Sequence, residues 1–394
     1  MMEQAMEGRE KKPRIRQFEG KRIAIFGPCF REKNLSHGGI TTNLFNLSNE
    51  FNRRGVHVEL IVFPPKNIKL STPRLDPTIR IVAFKAKHKS GQLIQLSRYL
   101  KTKRPDALFA AGHRYNLLAA WAKQISGDAT RVVLSVRNNV SRGLEGENML
   151  NTWLRWQSIS RFYPWADGIS TVSQGVADDL TAQTRIGSDL VRTLFNPVVT
   201  PLLFERAEAP LEHPWFSRGE PPVILGIGRL ERQKDFTTLI RAFAQVRRQQ
   251  DCRLMILGEG PLRPQLEALA ADLGLKEDIA LPGFMENPYV YLMRAGLFVL
   301  SSLWEGLPTV LIEAMALKVP VVSTDCPSGP REILEEGRYG LLVPTGDAPA
   351  LATAMLKTLA SPPDSSEMHT RATFFGGDRI IDAYLRYLLP TETM

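Results

Sequence analysis

At 394 residues the chain is longer than one hydrophobic core sustains and suits two domains of similar size. A hydrophobic fraction of 43% with 23% charged residues is ordinary for a globular protein. No apolar run approaches the roughly 20 residues of a membrane-spanning helix. Three scattered cysteines, Cys29, Cys252 and Cys326, argue for reduced thiols rather than a disulfide framework or a metal site. The net charge of +9 hides an asymmetry, because residues 1–200 hold 31 Lys and Arg against 16 Asp and Glu, whereas residues 201–394 hold 19 against 25. A basic half suits nucleic acid, an anionic membrane surface or a phosphorylated acceptor. Without zinc-ligand spacing, an RNP-like aromatic strand or a helix-turn-helix pattern, nucleic acid ranks last.

Residues 1–20 are charged and lack the apolar core of a signal peptide, which predicts a flexible basic tail and a chain that stays in the cytoplasm. From Lys21 the pattern is an alternation of short apolar runs and helical periods. Strands are expected at 21–28, 56–63, 79–84, 107–110, 131–136 and 168–172, with a helix over 39–54 that presents Leu44, Leu47 and Phe51 on one face. Asn196-Pro197 closes this half, so a first α/β domain is placed at 21–199. Residues 200–222, rich in Pro and Glu, read as a linker. A second set of strands follows at 223–226, 253–257, 279–281, 297–300, 319–323 and 340–343, giving a second α/β domain over 223–370. Ile380, Ile381, Tyr384 and Leu388 recur at helical spacing in the last segment, 371–394. Such alternation implies mostly parallel, doubly wound sheets covered on both faces.

The densest chemistry lies at 303–316, LWEGLPTVLIEAMA, where Glu305 and Glu313 bracket an apolar run interrupted by Gly306 and Pro308. The strand before it and the helix after it place Glu305 in a strand-to-helix loop and Glu313 about one turn into the helix, facing the same crevice. A helix N-terminus offers free N–H groups to an anion, and a carboxylate one turn in can accept ribose hydroxyls. Two Glu alone are weak evidence, since surface helices carry many. The weighing shifts with GIGRLERQKD at 226–235, which follows a strand and supplies Arg229 and Lys234. Two cations, a glycine-rich turn and a helix N-terminus on one sheet edge make a diphosphate cradle. Gly38 and Gly39 stand where the first loop enters a helix, and glycine lets backbone approach a phosphate or sugar closely. HGG also serves as a plain turn.

Arg229, Lys234, Glu305, Glu313 and His37-Gly38-Gly39 together resemble the constellation of retaining GT-B glycosyltransferases of family 4. TVSQGVADDL, TLFNPV, LMILGEGPLRPQLEALAADLGL and DCPSGPREIL extend the similarity over most of the chain. SVRNN and CPSGPREIL look most like bacterial enzymes that extend lipid-linked sugars for surface polysaccharide or glycoprotein glycans. The resemblance implies two Rossmann-like domains facing a cleft, an acceptor-binding first domain and a nucleotide-sugar-binding second one, with the last helix crossing back to the first. It implies that Arg229 and Lys234 stabilise the departing diphosphate, that Glu313 binds ribose, and that Glu305 lies near the donor sugar. The amides of Gly38 and Gly39 would close over the diphosphate. Gly306, Leu307, Pro308 and Thr309 would line the donor, although Pro308 has no N–H to give. Gly283 and Phe284 would hold the base, for which UDP is expected before GDP. His113 occupies the place of a residue near sugar or acceptor, although a lone His is more often structural. A front-face mechanism is the family expectation, so no protein base is required. The absence of a DxD-like pair adds an expectation of metal independence and of no cofactor beyond the donor. Where relatives read EGFG, this chain has Trp304 and EGLP.

The acceptor side is less legible. Arg137 and Asn138 follow the strand 131–136, where Arg137 would meet an acceptor phosphate, and Trp153, Arg155 and Trp156 come shortly after. These Trp residues read equally as core. Residues 85–104, KAKHKSGQLIQLSRYLKTKR, interleave Leu93, Ile94, Leu96, Tyr99 and Leu100 with seven Lys or Arg. They are either a basic amphipathic helix at the inner face of the plasma membrane or an ordinary surface helix packed on the sheet. A Rossmann dehydrogenase is disfavoured, because Gly27 is not part of a GxGxxG turn. A non-catalytic nucleotide- or glycan-binding protein stands as the alternative of another class, and a soluble acceptor as the alternative within the first.

Overall fold

The computed structural model describes residues 17–28, 39–63, 75–86 and 88–390. The first half forms β1 (Arg22–Phe26), β2 (His57–Val62), β3 (Arg80–Ala83), β4 (Ala107–Ala111), β5 (Arg131–Val136), β6 (Gly168–Thr171) and β7 (Val191–Thr193), in spatial order β3-β2-β1-β4-β5-β6-β7. The second forms β8 (Val223–Ile227), β9 (Arg253–Leu257), β10 (Ile279–Gly283), β11 (Leu297–Leu300), β12 (Val321–Thr324) and β13 (Leu341–Val343), in order β10-β9-β8-β11-β12-β13. Every ladder between these strands is parallel. In each sheet the winding reverses at the first strand, next to β4 or β11, which opens a crevice at the carboxyl edge. Strands β4 and β11, at the middle of their sheets, are apolar throughout, as parallel strands covered on both faces are, and have no exposed residue. Strand β7 escaped the sequence reading. It has three residues, none of them buried, and so lacks the apolar run that marks a strand.

Among the described residues three apolar clusters hold the molecule. One lies beneath the Gly39–Arg53 helix, which buries Leu44, Phe45, Leu47 and Phe51. Another lies beneath the Phe236–Arg247 helix of the second half. The third runs from Leu134 and Val136 of the first half to Leu225, Leu307 and Leu311 of the second.

The last helix, Gly377–Leu388, belongs to the first half. Ile380, Ile381, Tyr384, Leu385 and Leu388 join the cluster of Phe51 and Phe109. Tyr384 Oη donates to the Leu194 carbonyl at 3.1 Å, and Arg131 Nε to that of Tyr387 at 3.0 Å. Arg54, 4% exposed, bonds Asp378 and, at 2.6 Å, Asp382 of that helix. The preceding helix, Ser365–Thr373, packs on Thr309–Ala316 in the second half. The chain crosses between halves at Gly376, where a Cβ would lie 2.4 Å from the Val199 carbonyl oxygen. Residues 200–222 are not an open connector. Pro201–Ala207 is a helix with Leu203 and Ala207 buried, and the Arg206 guanidinium stands 5.7 Å from the Tyr289 ring.

Candidate active site

Strand β11 delivers Ser301 and Ser302 to the carboxyl edge of the second sheet, and the loop 303–308 leads into the Thr309–Ala316 helix. Glu305 is only 6% exposed. Its Oε1 accepts from Lys234 Nζ at 2.5 Å and from Ser302 Oγ at 2.7 Å, while Gln233 Nε2 stands 3.5 Å from Oε2. Lys234 closes the short Arg232–Lys234 turn after β8, and its carbonyl accepts from Ser301 Oγ at 2.7 Å. Ser302 is fixed in turn, since Thr324 Oγ1 donates to its carbonyl at 2.6 Å. A buried ion pair is costly unless its remaining lone pairs are satisfied, and here neighbouring side chains supply the bonds. Arg229 is exposed and pairs with Glu231 at 2.9 Å. A Cβ on Gly228 would touch the Lys234 stem at 3.0 Å, so the turn bearing Arg229 lies directly against Lys234. The structure therefore brings Arg229, Lys234 and Glu305 into one corner.

Glu313 is the fifth residue of its helix, partly exposed, with the Tyr289 hydroxyl 3.5 Å from Oε1. Gly283 ends β10 with a φ of +96°, where an L side chain is strained, and a Cβ there would meet Glu259 Oε1 at 2.7 Å. Phe284 follows with its ring 46% exposed. Trp304, Gly306, Leu307 and Pro308 are buried, and Thr309 opens the helix. The Arg232 guanidinium lies 5.8 Å from the Trp304 ring, whose Nε1 is buried without a partner.

The loop is buried because the first half sits on it. Asn139 N donates to the Glu305 carbonyl at 3.3 Å, and Ser173 Oγ to that of Gly306 at 2.7 Å. A Cβ on Gly306 would stand 2.3 Å from the Arg137 carbonyl oxygen. Below these contacts the Glu332 carboxylate accepts from the backbone N–H of Gln174 and of Gly175, each at 2.9 Å, and so caps the Gln174–Gln183 helix across the cleft. Asn139 Nδ2 reaches Ser328 Oγ at 3.1 Å. Glu332, Ser328 and Ser173 were not among the expected site residues. Their segments, TVSQG and CPSGPRE, stood out only as family motifs, and nothing in their spacing says that they meet.

On the first half, Arg137 directs its guanidinium to the side of the last helix. That guanidinium is buried beside Tyr384 rather than turned to the cleft where an acceptor phosphate was expected, Nη1 is 3.5 Å from Ser135 Oγ, and burial pushes the group down while Tyr384 opposes that shift. Asn138 Oδ1 accepts from Asn139 N at 3.1 Å. His113 opens the His113–Ser126 helix. Its Nδ1 faces Tyr163 Oη at 3.1 Å and its Nε2 faces Ser158 Oγ at 3.4 Å. Burial, aided by the Arg155 charge, holds its pKa down at about 4. Gly39 is the first residue of its helix, and no atom of the described residues lies within contact of where a Cβ would go. Gly38, His37 and Cys29 lie outside the described residues. Cys252 and Cys326 are buried free thiols, and burial together with the nearby Glu305 charge pushes the Cys326 thiol up. Among the described residues no group of His, Cys, Asp and Glu is arranged to hold a metal ion, and no helix is long and apolar enough to cross a membrane.

Two doubly wound sheets that meet at their carboxyl edges over a Lys–Glu pair define a GT-B glycosyltransferase fold. Residues 37–200 match the Glycosyltransferase Family 4 model and residues 211–373 match the Glycosyl transferases group 1 model. The chain belongs to this family. It is 32% identical over 289 residues, 72% of this chain and 76% of the relative, to N-acetylgalactosamine-N,N'-diacetylbacillosaminyl-diphospho-undecaprenol 4-alpha-N-acetylgalactosaminyltransferase of Campylobacter jejuni. Among solved structures it is similar in fold to sucrose-phosphate synthase from Thermosynechococcus elongatus, with a TM-score of 0.77 and 18% identity over 93% of this chain and 98% of that one. HepE of Anabaena, solved with UDP and glucose, superposes with a TM-score of 0.71 and 17% identity over 93% of this chain and 99% of that one.

Proposed function

We propose that the protein is a retaining, metal-independent glycosyltransferase that moves a hexose or N-acetylhexosamine from a UDP-sugar to a polyprenyl-diphosphate-linked glycan during surface polysaccharide or glycan assembly at the cytoplasmic face of the membrane. The observation that carries this reading is the pairing of Lys234 with the buried Glu305, 2.5 Å apart, with Arg229 on the adjoining turn. Fixed cations serve where a diphosphate gathers negative charge as the glycosidic bond breaks. Lys234 is held in place by Glu305, and Arg229 offers an exposed planar fork to the same phosphates. Glu313 takes the ribose hydroxyls, and the exposed Phe284 ring and the Gly283 backbone take the base. The bond from the anomeric carbon to the phosphate oxygen breaks with its electron pair going to phosphate. The acceptor hydroxyl enters on the same face, and its proton passes to the leaving phosphate oxygen. The name of the Campylobacter relative supports a lipid-diphosphate acceptor, and the UDP bound to HepE supports the base.

The test is transfer to a short-chain prenyl-diphosphate disaccharide from a panel of UDP- and GDP-sugars in EDTA, with the product anomer read by proton NMR. An α-linked product from one UDP-sugar is expected. A β-linked product overturns retention, turnover that vanishes in EDTA overturns metal independence, and consumption of GDP-sugars alone overturns the base.

A further inference from the structure

We propose that one face of the first domain seats the protein on an anionic lipid bilayer, and that the first two turns of the Met149–Phe162 helix are the part that enters it. Three helices, Lys89–Lys103, His113–Ser126 and Met149–Phe162, lie side by side on that face. Their sequences contain eight Lys or Arg and not one Asp or Glu. Lys123 is paired with Asp167, and Arg104, next to the first helix, with Asp128 at 3.4 Å, and the cations left in excess hold anionic headgroups through many weak contacts. Glu145 and Glu147 precede the third helix, and Glu145 is already paired with Arg142 at 2.5 Å.

The apolar residues of the three helices divide in a telling way. Leu96, Tyr99 and Leu100 of the first are buried in the core, so the stretch expected to lie in the interface contributes charge, with Ile94 alone of its large apolar side chains fully outside. In the third helix only Ile159 is buried. Met149 is 90% exposed, Leu150 64%, Trp153 56% and Leu154 49%. Spaced by one, three and one, they form a single stripe on the helix. The second half of the helix anchors it to the domain, through Ile159 and the Ser158–His113 contact, while the first half projects. Four large apolar side chains on one projecting stripe, one of them a Trp, above a cationic field, match the acyl and headgroup layers of a bilayer. A second copy of the chain fits less well, because a twofold contact through this face would oppose two cationic surfaces. The seat's purpose rests on the lipid-linked acceptor proposed above, since it would bring the first domain to the plane where such an acceptor's diphosphate lies.

The full-length protein and the variant M149S/L150S/W153S/L154S are compared by co-sedimentation with vesicles of phosphatidylglycerol and phosphatidylethanolamine and with vesicles of phosphatidylcholine alone. About half or more of each of these residues is already in water, and a superimposable thermal melt checks that the variant folds. The native chain is expected to sediment with the anionic vesicles only, and the variant to partition about a hundredfold less. A second variant, K101Q/K103Q/R104Q, should weaken binding and flatten its salt dependence while keeping the apolar stripe. Equal sedimentation of native chain and apolar variant overturns the seat. So does light scattering that shows a native dimer abolished by the variant, which would make the stripe an interface between copies. Transfer to the short-chain soluble acceptor separates the two readings. If neither protein uses it, the acceptor reading fails on its own account, whereas if both use it equally and only the native chain binds vesicles, both readings stand.

Discussion

Gly306→Ala is the sharpest probe of the closed cleft. The added Cβ would stand 2.3 Å from the Arg137 carbonyl oxygen and 2.9 Å from the Arg137 carbonyl carbon and the Asn138 Cα. All three are backbone atoms of the opposite domain, so no side chain can turn aside. Relief requires the domains to part by about 1 Å, the gap between that contact and ordinary van der Waals distance. Parting stretches the Ser173–Gly306 bond, now 2.7 Å, and draws the acceptor side away from the Lys234–Glu305 corner. A displacement of that size between reacting groups costs on the order of 10²-fold in rate. UDP affinity should hold, because the methyl points at the first domain whereas the cations and Glu313 sit on the second. Steady-state UDP release and calorimetric titration with UDP are the paired assays. Full turnover in the variant would refute the close approach, and a parallel loss of UDP affinity would trace the defect to the donor pocket instead.

Glu305→Gln keeps the shape and the Ser302 bond but removes the charge that holds Lys234. Turnover should fall about 10²-fold while the KM for donor changes little, and an unchanged kcat would end the role assigned to Glu305. Stability should also depend on His113. Its value of about 4 in the fold lies below the ordinary 6.5, so the unfolded chain takes the proton first. The contribution is therefore complete above pH 6.5 and is lost as the pH falls toward 4, by up to about 3 kcal/mol. Urea melts across that window should show the slope in the native chain and a flatter one in His113→Gln. Arg54→Met removes the buried guanidinium that holds Asp378 and Asp382, and should cost about 2 kcal/mol in the melt. An unchanged melt would mean that the last helix is held by its apolar face alone.

Most of the architecture was legible because parallel strands buried on both faces must be apolar from end to end. Runs such as ALFAA and LFVL announce themselves, whereas β7, at the sheet edge, does not. The donor corner was legible for a related reason. Arg229 and Lys234 follow one strand and Glu305 another, and the carboxyl ends of adjacent parallel strands meet at the crevice, so local order in the chain became proximity in space. His113 obeys the same rule, yet its ring turned into the helices and found Tyr163 and Ser158. Strand position fixes where a residue starts and not which way its side chain points.

By itself the sequence determined the two doubly wound halves, the basic first half and the Arg229–Lys234–Glu305 corner, since each depends on periodicity, composition or local order along the strand-to-helix turns. Only the tertiary structure decided that Gly306 lies against Arg137, that Glu332 caps a helix of the other domain, that Leu96, Tyr99 and Leu100 are spent on the core, and that Met149, Leu150, Trp153 and Leu154 are not. Those outcomes turn on which surfaces meet across the cleft and which helix face finds a partner, and an amphipathic period reads the same whether its apolar side is covered by a sheet or left in water.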